Sequence, residues 1–233
     1  MKQRITFFSD THTKHKQIEK DLPGGDILIC SGDISSMGYF QEIKEFCEWF
    51  SGLRQYTIKI FIAGNHDFGF EDSPKECLEI LKNYPEIIYL QDDLFCVGED
   101  YQSSIKIYGT PWQPEFCNWA FNLPRKGAEL AYVWNNIPVD TEILITHGPA
   151  WGTLDTVKGR EEHLGCELLA ARIQEIKPKI HIFGHIHSGH GIEFKDGTLS
   201  INASVLNEKY NYSYKPVTLD FDFETKEYEI LYK

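Results

Sequence analysis

The chain has 233 residues, 42% of them hydrophobic, enough for one sizeable core and typical of a globular protein. Its formal net charge of −12 excludes broad, sequence-independent contact with DNA or an anionic membrane, which rests on lysine and arginine neutralising phosphates. No apolar run approaches the ~20 residues of a membrane span and no apolar leader follows Met1-Lys2-Gln3-Arg4, so a cytoplasmic location without a membrane partner is expected.

Residues 4–9 read as a first apolar strand that ends in Asp10-Thr11-His12, followed by a short polar helix and a Pro23-Gly24-Gly25 loop. A second strand over 26–30 ends in Ser31-Gly32-Asp33. Between Tyr39 and Phe50, Tyr39, Ile43, Phe46 and Phe50 recur at three- and four-residue intervals, the pattern of an amphipathic helix lying on a sheet. The third strand, over 58–63, runs into Gly64-Asn65-His66-Asp67. Near-continuous apolar strands alternating with helices predict parallel pairing through right-handed crossovers.

A helix over 74–84 carries Pro74 at its N-terminal position, and strands over 87–90, 94–97 and 105–108 follow. An aromatic loop over 110–121 then leads to a helix marked by Leu130, Trp134 and Ile137. A strand over 142–146 ends in His147-Gly148, and a helix with Leu169, Ile173 and Ile176 on one face stops at Pro178. The strand over 179–183 ends in Gly184-His185-Ile186-His187. Beyond it the tail reads as β, with strands over 192–195, 199–202, 217–222 and 228–232 and a hairpin turn at Asp196-Gly197.

No repeat, linker or low-complexity stretch divides the chain, and the polar strand ends are spread along it, so residues 1–233 are expected to form a single domain. The six cysteines stand singly, without C-x-x-C spacing, and are expected to be reduced.

Five strand ends present candidate ligands: Asp10 and His12, Asp33, Asn65 and His66, His147, then His185 and His187. Any one of them alone is adequately explained as a turn former. In a parallel sheet, however, these ends lie side by side at the rim where ligands bind. Imidazole and carboxylate suit manganese, iron, zinc and related divalent ions. Seven N and O ligands are too many for one tetrahedral ion; two ions about 3.5–4 Å apart would use them and clamp an in-line displacement at phosphorus.

The ordered set Asp10-x-His12, Gly32-Asp33, Gly64-Asn65-His66-Asp67, His147-Gly148 and Gly184-His185-x-His187 resembles the calcineurin-like metallophosphoesterase superfamily. A narrower similarity, to the metallophosphoesterase-domain-containing proteins of fetal-brain type and their bacterial relatives, is carried by four further blocks. These are Tyr108-Gly109-Thr110-Pro111-Trp112, Trp119-Ala120-Phe121-Asn122-Leu123-Pro124-Arg125, Thr146-His147-Gly148-Pro149 and Ile201-Asn202-Ala203-Ser204. The resemblance implies an α/β four-layer sandwich of two mixed β-sheets flanked by α-helices. It implies one metal on Asp10, His12, Asp33 and His187 and another on Asp33, Asn65, His147 and His185, with a metal-activated hydroxide as nucleophile. Manganese is the expected metal, with iron, zinc, nickel, cobalt or magnesium as alternatives. His66 would stay free of metal, contact the phosphoryl group and protonate the leaving alkoxide, and Asp67 would orient it.

Two departures refine the expectation. Animal brain members carry glycine where this chain has His185, so an intact metal pair is expected here. The protein serine/threonine phosphatases of the superfamily have an arginine after their Gly-Asp, whereas the loop Gly32-Asp33-Ile34-Ser35-Ser36-Met37-Gly38 has none. The expected activity is therefore a phosphodiesterase on small phosphodiesters, cyclic nucleotides among them; the alternative is a nucleotide-binding regulatory protein with weak hydrolase activity. A small phosphodiester or nucleotide is the expected partner, extended nucleic acid is not, and a homo-oligomer stays open. Trp112 is the aromatic-loop residue expected to meet substrate, with packing the competing role for the loop as a whole. Asn202 and Ser204 are read as pocket-rim residues or turn formers. His181 is read as a core histidine, His190 as a loop histidine, and His15 and His163 as solvated.

Overall fold

The computed structural model describes residues 2–98 and 100–232. The first half comprises β1 (Lys2–Phe8), β2 (Gly25–Cys30), α1 (Phe40–Gly52), β3 (Tyr56–Phe61), α2 (Phe68–Asp72), α3 (Pro74–Leu81) and β4 (Ile87–Tyr89). Then come β5 (Asp93–Val97), β6 (Ile105–Thr110), β7 (Gln113–Pro114), β8 (Asn122–Leu123), α4 (Ala128–Asn135), β9 (Ile143–Thr146) and α5 (Glu167–Ile176). The chain closes with β10 (Ile180–Phe183), β11 (Gly191–Lys195), β12 (Thr198–Asn202), β13 (Val217–Asp222) and β14 (Tyr228–Tyr232).

Two six-stranded sheets result, in the orders β14-β13-β1-β2-β3-β4 and β11-β12-β10-β9-β6-β5. Each has a run of parallel strands, β1 to β4 in one and β12, β10, β9 and β6 in the other; antiparallel strands flank it at one margin of the first sheet (β13, β14) and at both margins of the second (β11, β5). The two-residue period of a strand explains the layering. Ile5 and Phe7 of β1, Ile27 and Ile29 of β2, and Ile60 of β3 face the second sheet, meeting Ile107, Ile143, Ile145, Ile180, Ile182 and Ile201. The alternate residues Phe8, Leu28, Cys30 and Phe61 face the other way and pack under Ile43, Phe46, Cys47 and Phe50 of α1. On the outer face of the second sheet, Tyr108 and Leu144 pack beneath Leu130 and Trp134 of α4 and Leu169 and Ile176 of α5. The four-layer sandwich of two mixed sheets between helices is the architecture expected.

Local signals account for the helix ends. The Glu42 carboxylate, three residues into α1, accepts the N–H of Tyr39, Met37 and Ser36 and so satisfies donors at the helix start. The Cys166 sulfur accepts the Leu169 N–H at the start of α5, and Lys177 turns left-handed (φ 50°) to end it before Pro178.

Three expectations are corrected. The polar helix after His12 is two short 3₁₀ turns, His15–Gln17 and Glu19–Asp21. His15 is not solvated: it is buried against Trp49 (ring centroids 4.9 Å) and Phe46 (5.7 Å). The aromatic loop is not wholly irregular, because β7 within it pairs with β8 just beyond its end. All six cysteines are free, with Cys30 and Cys47 buried among apolar side chains.

Candidate metal centre

The parallel centres of both sheets end at one rim. There the Ser9–Ser204 bridge joins the turn after β1 to the turn after β12, and the Gly184 N–H donates to the His147 carbonyl (2.9 Å), joining the ends of β10 and β9. These turns require unusual backbone. Asp10 (φ 56°), His12 (φ 40°), Asp33 (φ 52°) and His185 (φ 65°) are all left-handed. Such conformations cost about 1–3 kcal/mol each in a non-glycine residue and gather at functional sites. Close approach adds to the demand: a side chain at Gly64 would overlap Asp33 Oδ1, and one at Gly184 would overlap Asp10 Oδ2. Both glycines keep space for a carboxylate.

All seven expected ligands come together. His12 Nε2 lies 3.3 Å from His187 Nε2 and 3.6 Å from Asp33 Oδ2, and His187 Nε2 lies 3.5 Å from Asp10 Oδ1. His147 Nε2 lies 3.4 Å from Asp33 Oδ2 and 2.9 Å from Asn65 Oδ1, which is also 2.7 Å from His185 Nδ1. Asp10, His12 and His187 form one group able to hold an ion, and Asp10, Asp33 and His147 another; Asp33 also groups with His12 and His66. Asp10, His12, Asp33, Asn65, His147 and His187 are buried, and His66 and His185 are partly exposed.

Outer contacts aim the nitrogens inward. His187 Nδ1 donates to the Asn207 carbonyl (3.0 Å) and His147 Nδ1 to the Ser31 carbonyl (2.9 Å). Each ring thereby presents Nε2 to the centre, the arrangement that orients metal-bound histidines. Ser204 Oγ donates to Asp10 Oδ2 (2.7 Å), and the His185 N–H reaches both Asp10 oxygens (3.0 and 3.1 Å). With two carboxylates, an amide oxygen and four imidazoles converging from two sheets, the donor set fits divalent cations.

The electrostatics agree. Burial works against ionising Asp10 and Asp33, but His187 beside the first and His147 beside the second hold both well below the usual carboxylate range. Burial likewise opposes charge on His147, yet Asp33 and then Asp10 outweigh it and lift this imidazole to about 9. His12 and His185 are pushed down to about 4 by burial, against the pull of the same carboxylates. Burial, with Asp33 adding repulsion, raises Asp67 to about 6.

The other selected residues are placed as follows. His66 Nδ1 pairs with the Ser36 carbonyl (2.7 Å), and the ring stacks on Trp119 with centroids 4.1 Å apart. Asp67 does not orient that ring. Its carboxylate instead accepts the N–H of Gly64 (2.8 Å), Ser35 (3.0 Å) and Ile34 (3.2 Å) and the Ser35 hydroxyl (2.6 Å), tying the Asp33 turn to the Asn65 turn. Trp112 lies away from the cavity: its Nε1 donates to Asp92 (2.8 Å) and its ring packs on Phe121. Asn202 and Ser204 are buried beneath the ligands rather than at the rim, Asn202 Nδ2 donating to the Ile186 carbonyl (2.9 Å). His181 is a core histidine bonded to Thr146 Oγ1 (2.8 Å). His163 is exposed beside Asp155 (2.6 Å), and His190 stacks on Tyr214.

A cavity of about 520 Å³ opens over the cluster, within the range of small-molecule sites. Asp33, Asn65, His66 and His185 lie on one side, and Phe116, Trp119, Pro149, Leu164 and Tyr210 supply apolar walls. Sequence reasoning did not single out Tyr210, which sits edge-on to His12 (4.8 Å) and His187 (5.1 Å). Nothing in the polar tail around it marks a site.

Fold and site together define a two-sheet sandwich that gathers a buried carboxylate and imidazole cluster able to hold divalent ions at one rim. The chain belongs to the calcineurin-like phosphoesterases, whose family model matches residues 3–189. It is 38% identical over 238 residues to the human metallophosphoesterase domain-containing protein 1, covering 93% of this chain and 70% of that protein. A UPF0046 protein of Caenorhabditis elegans is 34% identical over 238 residues, covering 94% and 81%. In fold the chain is similar to TT1561 of Thermus thermophilus, with a TM-score of 0.66 at 15% identity over 100% and 99% of the two chains. Membership supports hydrolase activity on phosphoesters. Among the described residues, no helix is long and apolar enough to cross a membrane.

Proposed function

We propose that the chain is a metal-dependent phosphodiesterase acting on small phosphodiesters, cyclic nucleotides among them. The observation that carries the diester preference is the state of Arg125, the one arginine or lysine lining the cavity among the described residues. Its guanidinium donates to Glu167 (2.8 Å) and to the carbonyls of Leu164 and Gly165 (2.7 Å each). A phosphomonoester dianion would find its second charge unmatched by any side-chain cation of the cavity, whereas a diester carries one charge and two organic arms. The apolar walls suit such an arm, and the cavity volume suits a mononucleotide.

Asp10, His12, Asp33 and His187 would hold one divalent ion, and Asp33, Asn65, His147 and His185 a second, with Asp33 shared and manganese the expected metal. Bound ions supply Lewis-acid polarisation of phosphoryl oxygens and lower the pKa of water. The chain's own residues do the rest. Ser204, Asn207 and Ser31 hold Asp10, His187 and His147 in place. His66 Nδ1–H donates to the Ser36 carbonyl, so in the imidazolium form the Nε2–H is the donor left to contact a phosphoryl oxygen and to pass its proton to the departing ester oxygen. Because the ligands come from both sheets, we assign this activity to the whole chain as one unit.

Manganese-loaded protein is expected to hydrolyse bis(p-nitrophenyl) phosphate with a kcat/KM at least about tenfold above that for p-nitrophenyl phosphate, a difference of ~1.4 kcal/mol in transition-state binding. The reverse order would make the chain a monoesterase. A metal-replete sample that turns over neither ester would refute the proposal.

A further inference from the structure

The function proposed above leaves one requirement unmet: an imidazole that must deliver a proton to a departing oxygen has to be held at one angle, and rotation about its terminal torsion is otherwise soft. We infer that Trp119 is the positioning residue for His66, its indole face fixing the imidazole plane so that Nε2 faces the ester oxygen; this rests on the phosphodiesterase reading. The two rings are nearly parallel (30°) with centroids 4.1 Å apart. Phe68 packs on the indole (5.9 Å), and the edge-on His12 ring (4.5 Å, 82°) bounds the imidazole. The Ser36 carbonyl selects which nitrogen carries the proton but leaves the ring free to swing about that bond; the indole removes this freedom.

The backbone around Trp119 is anchored for the task. The Ala120 N–H donates to the Asn65 carbonyl (3.1 Å), so the residue after Trp119 is bonded to the residue before His66. The Phe121 N–H donates to Glu71 (2.9 Å) one position further on. The segment is thus registered against the Asn65–His66 turn by hydrogen bonds and against the imidazole by stacking. Phe116 and Tyr210, both exposed on the same cavity, are the aromatics left to meet an ester arm.

The leaving group separates this role from others. p-Nitrophenolate departs readily without a proton, whereas phenolate, the stronger base, draws more help from a general acid. Trp119→Leu and Trp119→Phe are compared with the unaltered protein, all manganese-loaded, on bis(p-nitrophenyl) phosphate and diphenyl phosphate. Trp119→Leu is expected to lower kcat about 100-fold on diphenyl phosphate, the scale of a misplaced catalytic group, and about threefold or less on the nitrophenyl ester. KM and metal content should hold, and Trp119→Phe, which keeps a stacking face, should restore most of the rate. In zinc-loaded protein labelled with ¹⁵N-histidine, the His66 ring signals should be sharp in the unaltered and Trp119→Phe proteins and broadened by exchange between ring orientations in Trp119→Leu.

A raised KM at unchanged kcat would mean that Trp119 holds substrate instead, overturning the inference. Equal loss on both esters, or an unaltered protein already unable to cleave diphenyl phosphate while cleaving the nitrophenyl ester, would overturn it too and leave the phosphodiesterase reading standing. If neither ester is cleaved by the unaltered protein, that reading fails, and the exchange broadening of the His66 ring signals alone decides whether Trp119 positions His66.

Discussion

Asp33 Oδ2 lies between the two sets of imidazoles, 3.6 Å from His12 Nε2 and 3.4 Å from His147 Nε2. Its other oxygen accepts the His66 N–H (2.8 Å), so the carboxylate proposed to be shared also places the backbone of the proposed acid. The two residues should therefore fail differently. Asp33→Ala is expected to lose bound metal, as measured by elemental analysis after desalting. His66→Ala is expected to keep both ions while losing about 10²- to 10⁴-fold in kcat, the usual worth of a general acid. Equal metal loss in the two variants would make His66 a ligand, a role its grouping with His12 and Asp33 would permit.

At the scale of elements, the strand ends were readable because each apolar run stops abruptly at a polar residue, and parallel pairing brings those stops to one rim. That logic reached Asp10, Asp33, Asn65, His147 and His185, though it had no means of seeing the left-handed backbones of Asp10, Asp33 and His185. It failed on residues whose direction depends on irregular backbone. Asp67 points back between the Asp33 and Asn65 turns, not at its neighbour His66, because two N–H groups of the first (Ile34, Ser35) and one of the second (Gly64) need an acceptor. Trp112 and Trp119 share one aperiodic stretch, and only the β7–β8 pairing turns the first toward Asp92 and leaves the second at His66. Asp92 also accepts the Thr110 hydroxyl (2.6 Å), so Trp112 belongs to a packing unit at the end of β6. Trp112→Ala is expected to lower unfolding stability by about 2–3 kcal/mol in urea melts, through lost burial and a lost charge-assisted hydrogen bond. KM for bis(p-nitrophenyl) phosphate should be unchanged; a several-fold rise would return Trp112 to the substrate site.

For the molecule as a whole, the ligands are divided between the sheets, with Asp10, Asp33 and Asn65 following β1, β2 and β3 and His147, His185 and His187 following β9 and β10. An acidic chain that handles phosphate needs this buried cluster to convert carboxylate charge into cation binding. Proton and metal then compete for the same nitrogens. Asp33 and Asp10 overcome burial to hold His147 protonated up to about 9, and Asp10 likewise raises His187. Burial keeps His12 and His185 neutral above about 4, so at pH 7 they accept metal without losing a proton. The sign follows: because a bound imidazole must be deprotonated, loading at pH 7 should expel about one proton from His147 and a further share from His187. Apparent metal affinity should then rise by about tenfold or more per pH unit from pH 7 and flatten as pH passes the raised pKa of His147. Calorimetric titration with Mn²⁺ in two buffers of different ionisation enthalpy measures the protons released. Zero release at pH 7 would show that His147 meets the metal already neutral, and that Asp33 does not hold its proton.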